Sequence, residues 1–176
     1  PSYIFGNLQA NGKVFLTNEA GVIFGSTARV DVGGLVATTA NINNADFMSG
    51  KYNFVQQPGV NTAIVVQKGA IISAKDSGIV ALVAPGVENN GLIQARLGKV
   101  ALASGTKFTV DLYGDQLINF ATDAAAPNAR ARTADGRELA NAVSNTGSII
   151  ADGGTVLLTA QTARGVVNNA INMSGY

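Results

Sequence analysis

The sequence predicts an all-β fold, a right-handed parallel β-helix (solenoid) from which hairpin and loop excursions project. Three observations favour it: an internal repeat, alternation of apolar side chains within each copy, and a composition rich in turn formers, with 21 Gly and 17 Asn among 176 residues. Glycine and asparagine tolerate the positive φ of corners, and β-branched residues suit pleated strands. Since one copy is too short to fold alone, we expect the copies to stack around a shared core.

The repeat follows the frame G-x-I-x-A-x-x-G-x-V-x-L, which fits residues 91–102 and 147–158 without a gap. Looser copies occupy residues 69–84 and 6–16, and Val80 and Val100 show the spacing of 20 residues between neighbouring copies. Each copy predicts two short strands around a glycine corner. Asparagines near the corners, including Asn89 and Asn145, predict amide hydrogen bonds between successive turns.

The repeat is interrupted twice, and both interruptions predict excursions from a single β-helix domain that spans residues 1–176. Residues 107–120 alternate around the sequence Y-G-D-Q, which predicts a β-hairpin, and the polar residues 121–138 predict an exposed loop or a short helix. A second excursion is expected at about residues 41–59, and the later one covers about 106–142. Allowing for the later excursion, the chain is long enough for about seven turns.

Composition narrows the function classes. Net charge is +1 and charged residues make up 13% of the chain, which gives no basis for a nucleic-acid partner. No apolar run approaches the roughly 18 residues of a membrane-spanning helix. There is no Cys and no His, which excludes disulfides, cysteine nucleophiles and imidazole metal sites. We therefore predict a protein that is not an enzyme and has no cofactor, no metal and no membrane span.

Charged residues leave three weaker alternatives. Asp111 and Asp115 could serve as an acid and base pair on a sugar, but two carboxylates at a hairpin tip are more often turn residues. The single D-G-G sequence at residues 152–154 favours a plain turn over a calcium-binding repeat. The arginines of the later excursion are mixed with acids, which favours a solvated loop over a phosphate site.

Three stretches of the first 50 residues resemble a known family. A-N-G-K-V-F-L-T-N-E-A-G-V-I-F-G (10–25), V-D-V-G-G-L-V-A-T-T (30–39) and N-A-D-F-M-S-G (44–50) are similar in order and spacing to the haemagglutination-activity, or two-partner-secretion, domain of filamentous-haemagglutinin-like exoproteins. The resemblance implies the N-terminal secretion module of a large Gram-negative adhesin, haemolysin or contact-dependent toxin. It also implies transit through the periplasm, recognition there by the periplasmic domains of a dedicated outer-membrane β-barrel transporter, and folding at the cell surface.

The resemblance also implies a recognition turn, at Asn18, Glu19, Ala20, Gly21 and Val22. The family usually carries N-P-N-G-I at this place, so Asn18 and Gly21 match, Val22 is conservative, and Glu19 and Ala20 depart from the pattern. Loss of the proline removes a preset φ, although glutamate and alanine still permit a type I turn with asparagine first and glycine fourth. A second family motif, N-P-N-L, belongs upstream of Pro1, so the chain is expected to lack the N-terminal part of the domain.

The alternative function is a host-binding adhesin module in which the excursions contact a host glycan or protein. Tyr52, Phe54, Tyr113 and Asp115 are the candidates for ligand contact, because they bring aromatic and acidic side chains outside the repeat frame. Packing of Tyr52 and Phe54 within the excursion is the competing interpretation.

Overall fold

The β-helix predicted from the repeat is the fold that the chain adopts. The structure, a computed structural model, describes residues 1–46, 48–114, 116–161 and 165–176. These residues form three parallel sheets of six, five and five strands and one antiparallel sheet of four strands. The three parallel sheets are the faces of a coil, and the antiparallel sheet lies outside it. Parallel strands of successive turns therefore pair along the long axis.

The chain visits the three faces in a fixed order. Face 1 contains β1 (Ser2–Ile4), β4 (Val22–Phe24), β9 (Ala63–Val66), β12 (Gly86–Asn89), β17 (Asn141–Asn145) and β20 (Asn169–Met173). Face 2 contains β2 (Asn7–Gln9), β5 (Arg29–Val32), β10 (Ile71–Ala74), β13 (Leu92–Gln94) and β18 (Ser148–Ile150). Face 3 contains β3 (Lys13–Thr17), β6 (Gly34–Thr38), β11 (Ile79–Ala84), β14 (Lys99–Ser104) and β19 (Thr155–Ala160).

Two details of the predicted coil are wrong. Each turn has three strands rather than two, because the strands of face 1 do not carry the repeat frame and were not recognised from it. The described residues make five full turns rather than about seven, since faces 2 and 3 each hold five strands. The overestimate arises because both excursions, not only the later one, remove chain length from the coil.

The interior of the coil consists of columns of identical or similar aliphatic side chains. Val100 pairs with Val80 and Val156, and Leu102 lies in the equivalent place between Leu82 and Leu158. The register between the strands of Val80 and Val100 is the 20-residue spacing of the repeat. Alternate residues of each strand therefore point into one continuous core, as the alternation predicts.

A ladder of asparagine amides runs through one corner of the coil. The Asn89 Nδ2 donates to Asn145 Oδ1 at 2.8 Å, and the Asn89 Oδ1 accepts from the backbone N–H of Gly91 at 3.1 Å. Both asparagine side chains are buried, so these bonds satisfy polar groups that water does not reach. The amide contacts between turns that the sequence predicts are confirmed.

The two excursions meet in one antiparallel sheet, which we call the excursion sheet. Its strands are β7 (Asn41–Asp46), β8 (Lys51–Val55), β15 (Lys107–Asp111) and β16 (Ile118–Phe120), in the order β16-β15-β8-β7. β15 and β16 form the hairpin predicted from the Y-G-D-Q turn, which confirms that prediction. The pairing of β8 with β15 joins segments more than 50 residues apart, and nothing in the local sequence predicts it.

The excursion sheet packs on the outer side of face 3. There the coil presents small side chains such as Ala81, Ala101 and Ala103, and the excursion sheet presents Phe54 and Phe108, whose rings stack with centroids 5.1 Å apart. Small residues below and aromatic rings above allow the two layers to approach closely. The molecule thus has a second apolar layer outside the coil.

Residues 121–140 form an irregular loop that returns the chain to face 1. Arg132 pairs with Thr62 in a parallel bridge and with Glu138 in an antiparallel one, while Ala131 and Leu139 are buried against Ala63. No helix occurs within this described segment, so the loop alternative holds.

Candidate functional site

The candidate recognition turn lies at the corner between face 3 and face 1, where β3 ends and β4 begins. The backbone N–H of Gly21 donates to the Asn18 carbonyl at 3.0 Å, which closes a β-turn with asparagine first and glycine fourth. Both excursions leave the coil at this same corner in later turns, after β6 and after β14. The turn is therefore close to the points where the excursions leave and rejoin the coil.

Besides the bond to its carbonyl, Asn18 makes three further hydrogen bonds that hold the turn. Its Oδ1 accepts from the backbone N–H of Ala20 at 2.9 Å, and its Nδ2 donates to the Ser2 hydroxyl at 2.9 Å. Its backbone N–H donates to the Thr38 carbonyl at 3.1 Å. An asparagine side chain that bonds two residues ahead stabilises a turn in the manner of a backbone group. The geometry thus uses the donor and the acceptor of the amide.

Gly21 is favoured by its backbone conformation, and the space for a side chain at this position is tight. Its φ is +103°, which favours glycine, and a Cβ here would lie 3.3 Å from both the Ala134 Cβ and the Ala63 carbonyl oxygen. Gly21 is buried, and Val22 is fully buried in the coil core. Of the five turn residues, Ala20 is exposed while Asn18 and Glu19 are half-buried.

Glu19 has contacts that no sequence pattern predicts. Its carboxylate accepts from the Asn41 amide and faces the Gln57 amide, whose nitrogen, when turned toward the acid, lies 2.9 and 3.2 Å from the two carboxylate oxygens. Its backbone carbonyl accepts from the Thr62 hydroxyl at 2.5 Å. All three partners belong to the first excursion or to the segment that follows it. Because they are distant in sequence, no local pattern could indicate them.

Two of the four predicted ligand-contact residues are buried beneath the excursion sheet. Tyr52 is 7% exposed and Phe54 is fully buried, and both belong to the apolar layer between the excursion sheet and face 3. The Tyr52 ring packs on Phe15 at a centroid distance of 4.6 Å. Contact of these rings with a ligand is therefore corrected to packing, because alternation in β8 directs both side chains inward.

Exposed apolar side chains occur instead at the tips of the two hairpins. Tyr113 is 72% exposed and Met48 is 96% exposed. Gly50, with a φ of +69°, lets the Tyr113 ring approach, because a Cβ there would lie 2.5 Å from it. The Lys13 Nζ lies 5.2 Å from the centre of the same ring. Asp115, the fourth predicted contact residue, lies outside the described residues.

Asp111 acts as a turn residue. One of its carboxylate oxygens accepts from the backbone N–H of Gly114 at 3.0 Å and from that of Tyr113 at 3.3 Å. This carboxylate therefore holds the hairpin tip. Within the described ranges, no group of three or more acidic side chains is arranged to hold a metal ion. A helix of the length and apolarity needed to cross a membrane is likewise not found in the described part of the chain.

The three arginines of the later excursion are engaged by the chain itself. Arg137 forms a bidentate ion pair with Glu88, with nitrogen-to-oxygen distances of 2.7 and 3.2 Å. This pairing raises the pKa of the Arg137 guanidinium. Arg132 pairs with Glu138 at 3.2 Å, and Arg130 donates to the Asn168 Oδ1 at 2.7 Å. Arg137 thus joins the loop to β12 of face 1 and Arg130 joins it to the segment before β20, whereas the Arg132 pair lies within the loop.

Two acids, one at the end of β7 and one in the later loop, are also held by neighbouring residues. Hydrogen bonds from Ser49, donated by its hydroxyl and backbone N–H, lower the pKa of Asp46. A hydrogen bond and the positive charge of Lys107 lower the pKa of Asp123, whose carboxylate lies 2.8 Å from the Lys107 Nζ. Both acids stabilise loop geometry at neutral pH.

A groove of about 970 Å³ is lined by residues of faces 1 and 2 and of the later loop, including Ile23, Val65, Lys68 and Arg137. None of the five turn residues lines it. The recognition turn therefore lies outside this groove, and its exposed residue is Ala20.

The chain is similar in sequence to known proteins. The family model for the TPS secretion domain matches residues 1–176. The chain is 39% identical over 129 residues to a heme/hemopexin-binding protein of Haemophilus influenzae, a match that covers 69% of the chain and 14% of that protein. A second heme/hemopexin-binding protein of Haemophilus influenzae is 43% identical over 56 residues, which is 32% of the chain and 6% of that protein.

A solved structure has the same fold. The crystal structure of the HMW1 secretion domain from Haemophilus influenzae superposes with a TM-score of 0.66 and 24% sequence identity, over 96% of the chain and 45% of that structure. The chain therefore spans a small part of its curated relatives and about half of this structural neighbour.

Proposed function

Because the chain belongs to the family of TPS secretion domains, we propose that its corner turn at residues 18–22 is the element that a dedicated outer-membrane transporter recognises. The chain is a secretion domain of a two-partner secreted exoprotein, and such exoproteins are exported to the cell surface or released. The family implies the dedicated transporter. Recognition through the periplasmic domains of that transporter, and through this turn, is our proposal.

The observation that supports this proposal most directly is the construction of the turn. Asn18 bonds to four other residues, and Gly21 adopts a φ of +103°. These bonds hold the turn in one conformation, with Ala20 at its exposed point. A turn with one conformation loses little entropy when a partner binds it.

Folding of the same domain would also favour outward movement. Each turn of the coil that forms outside the cell buries apolar surface worth roughly 25 cal/mol per Å². Leu82, Leu102 and the other core side chains are accessible to water until neighbouring turns stack. The domain would thus act as one β-helix unit on which further turns assemble, without enzymatic, cofactor or metal chemistry of its own.

Secretion of the native exoprotein with its transporter tests the role of the turn. We expect the double variant Asn18→Ala, Gly21→Ala to reduce secretion about tenfold, the effect of losing roughly 1.4 kcal/mol of binding. The matched control is Gly153→Ala, which alters another glycine with positive φ, +70°, in a turn between faces 2 and 3. Undiminished secretion of the double variant would contradict the proposal, and circular dichroism of the purified variants shows whether the β-helix still forms.

A second candidate function is host binding through the hairpin tips, and it rests on the exposure of Met48 and Tyr113. Deletion of the later excursion is a poor test, because β15 pairs with β8 and its loss would also break the first excursion. The variant Met48→Ser, Tyr113→Ser changes the tips alone. Lost adhesion with normal export would support host binding, whereas unchanged adhesion would exclude the tips as the contact.

A further inference from the structure

Glu19 connects the recognition turn to segments that the turn does not otherwise reach. The Asn41 amide, at the start of β7, donates to its carboxylate, and Gln57, which follows β8, faces the same group. Hydrogen bonds to a charged acceptor are stronger than those between neutral groups. One carboxylate therefore ties both ends of the first excursion's hairpin to the turn.

The backbone of the recognition turn also contacts the segment that follows the first excursion. The Glu19 carbonyl accepts from the Thr62 hydroxyl at 2.5 Å. The residues on either side of Thr62 pair with the later excursion, since the Asn61 carbonyl accepts from the Arg132 N–H at 2.8 Å and the Ala63 N–H donates to the Arg132 carbonyl at 3.0 Å. The turn, the first excursion and the later excursion thus converge within a few bonds of Glu19.

The partners of Glu19 are amides and a hydroxyl, and none of the ion pairs found in the described residues involves it. A carboxylate that served only to balance charge would be expected next to a lysine or an arginine. Directional neutral donors instead fix position. The exposed residues around this half-buried acid are Ala20, Asn41 and Gln57, which come from the turn and from both ends of the hairpin.

We infer that Glu19 is a positioning residue and that the transporter contacts a composite surface, made of Ala20, Asn41 and Gln57 around Asn18 and Glu19, rather than the turn alone. This inference rests on the proposed function of the turn. The partner it fits is a protein domain with hydrogen-bonding groups that match a patch of amides. The surface exists only when the first excursion is docked on the coil.

Exchanging the amide and the carboxylate between Asn41 and Glu19 tests this inference. Asn41→Asp removes the donor and places a second negative charge beside Glu19, so we expect secretion to fall about tenfold and amide exchange in the turn and β7 to accelerate about tenfold. Adding Glu19→Gln to that variant supplies an amide donor opposite the new carboxylate. The double variant is expected to return both measurements to within about twofold of the wild type.

Asn43→Asp is the matched control, because it adds the same charge to the same strand at an exposed asparagine that has no hydrogen bond to Glu19. Equal effects of Asn41→Asp and Asn43→Asp, or failure of the double variant to restore secretion, would overturn the inference. Faster exchange with unchanged secretion would also overturn it, since the connection would then be structural only. Normal secretion of the Asn18→Ala, Gly21→Ala variant is a separate result, and it would count against the proposed function itself.

Discussion

The coil and the excursion sheet stabilise themselves in opposite ways. In the coil, parallel strands of successive turns pair in register and bury columns of Val, Leu and Ile. In the excursion sheet, antiparallel strands from two distant segments bury aromatic rings against alanines of face 3. Each inner turn of the coil is supported from both sides by its neighbours, whereas the excursion sheet packs on the coil from one side only. We therefore expect the excursion sheet to open while the coil stays folded.

The largest effect is expected from the coil. Phe24 is fully buried in the core, in a strand that pairs with β1 and β9. Phe24→Ala should lower the free energy of unfolding by about 3 to 5 kcal/mol, because it leaves a cavity between stacked turns. Chemical denaturation followed by circular dichroism measures this loss. A variant as stable as the wild type would show that the columns are not the main source of stability.

The same substitution in the excursion sheet is expected to act locally. Phe54 is as buried as Phe24, but its ring packs on Phe108 outside the coil. Phe54→Ala should reduce overall stability by up to about 3 kcal/mol, the lower end for such truncations, and should accelerate amide exchange in β7, β8, β15 and β16. Hydrogen exchange resolved by segment distinguishes the regions. Equal acceleration in the coil strands would mean that the two regions unfold as one unit.

A smaller effect is expected from the asparagine ladder. Asn89→Ala removes the donor to Asn145 and the acceptor for Gly91, which leaves two buried polar groups unpaired. We expect a loss of about 1 to 3 kcal/mol. Asn119→Ala serves as the control, because Asn119 is exposed on the excursion sheet and, among the described residues, its side chain bonds only to the nearby Gln116 carbonyl. If both variants lose the same stability, burial of the ladder contributes nothing.

The smallest effect is expected from acid pH at the tip of the first hairpin. Because Ser49 bonds lower the pKa of Asp46 below its ordinary value of 3.8, the charged form favours the folded tip. This contribution is present above pH 3.8 and is lost as the pH falls through the lower folded pKa. Amide exchange at residues 48–51, corrected for its intrinsic pH dependence, should then accelerate relative to the coil. Ser49→Ala should shift this acceleration to higher pH, and an unchanged profile would exclude the Ser49 contact as its cause.

Much of the coil could be predicted because its information is local and repeated. The frame around Ile93 and Val100 contains the alternation and the corner glycine within a dozen residues, and the recurrence of the frame gives the spacing of successive turns. The strands of face 1 were missed because segments such as Gly86–Asn89 are short and share no common pattern. The hairpin at Tyr113 was predictable for the same reason as the coil, since alternation and turn residues lie next to each other.

The candidate site likewise has a part that could be predicted from the sequence and a part that could not. Asn18 and Gly21 were identified from sequence, and the structure gives each a local role in closing the turn. The burial of Tyr52 and Phe54 could not be assigned in advance, because alternation shows that two side chains share a face of a strand but not what covers that face. Only the docking of β8 on face 3 decides it.

The β-helix, the asparagine contacts between its turns and the recognition turn at Asn18 could be derived from the sequence alone, since they depend on residues a few positions apart or on successive copies of the repeat. The tertiary structure decided that two excursions form one sheet and that Glu19 bonds to Asn41 and Thr62. The physical reason is that such contacts join surfaces whose positions are fixed only after the coil has stacked. A side chain pattern specifies which face is apolar or polar, whereas its partner across space is selected by shape and distance in the folded molecule.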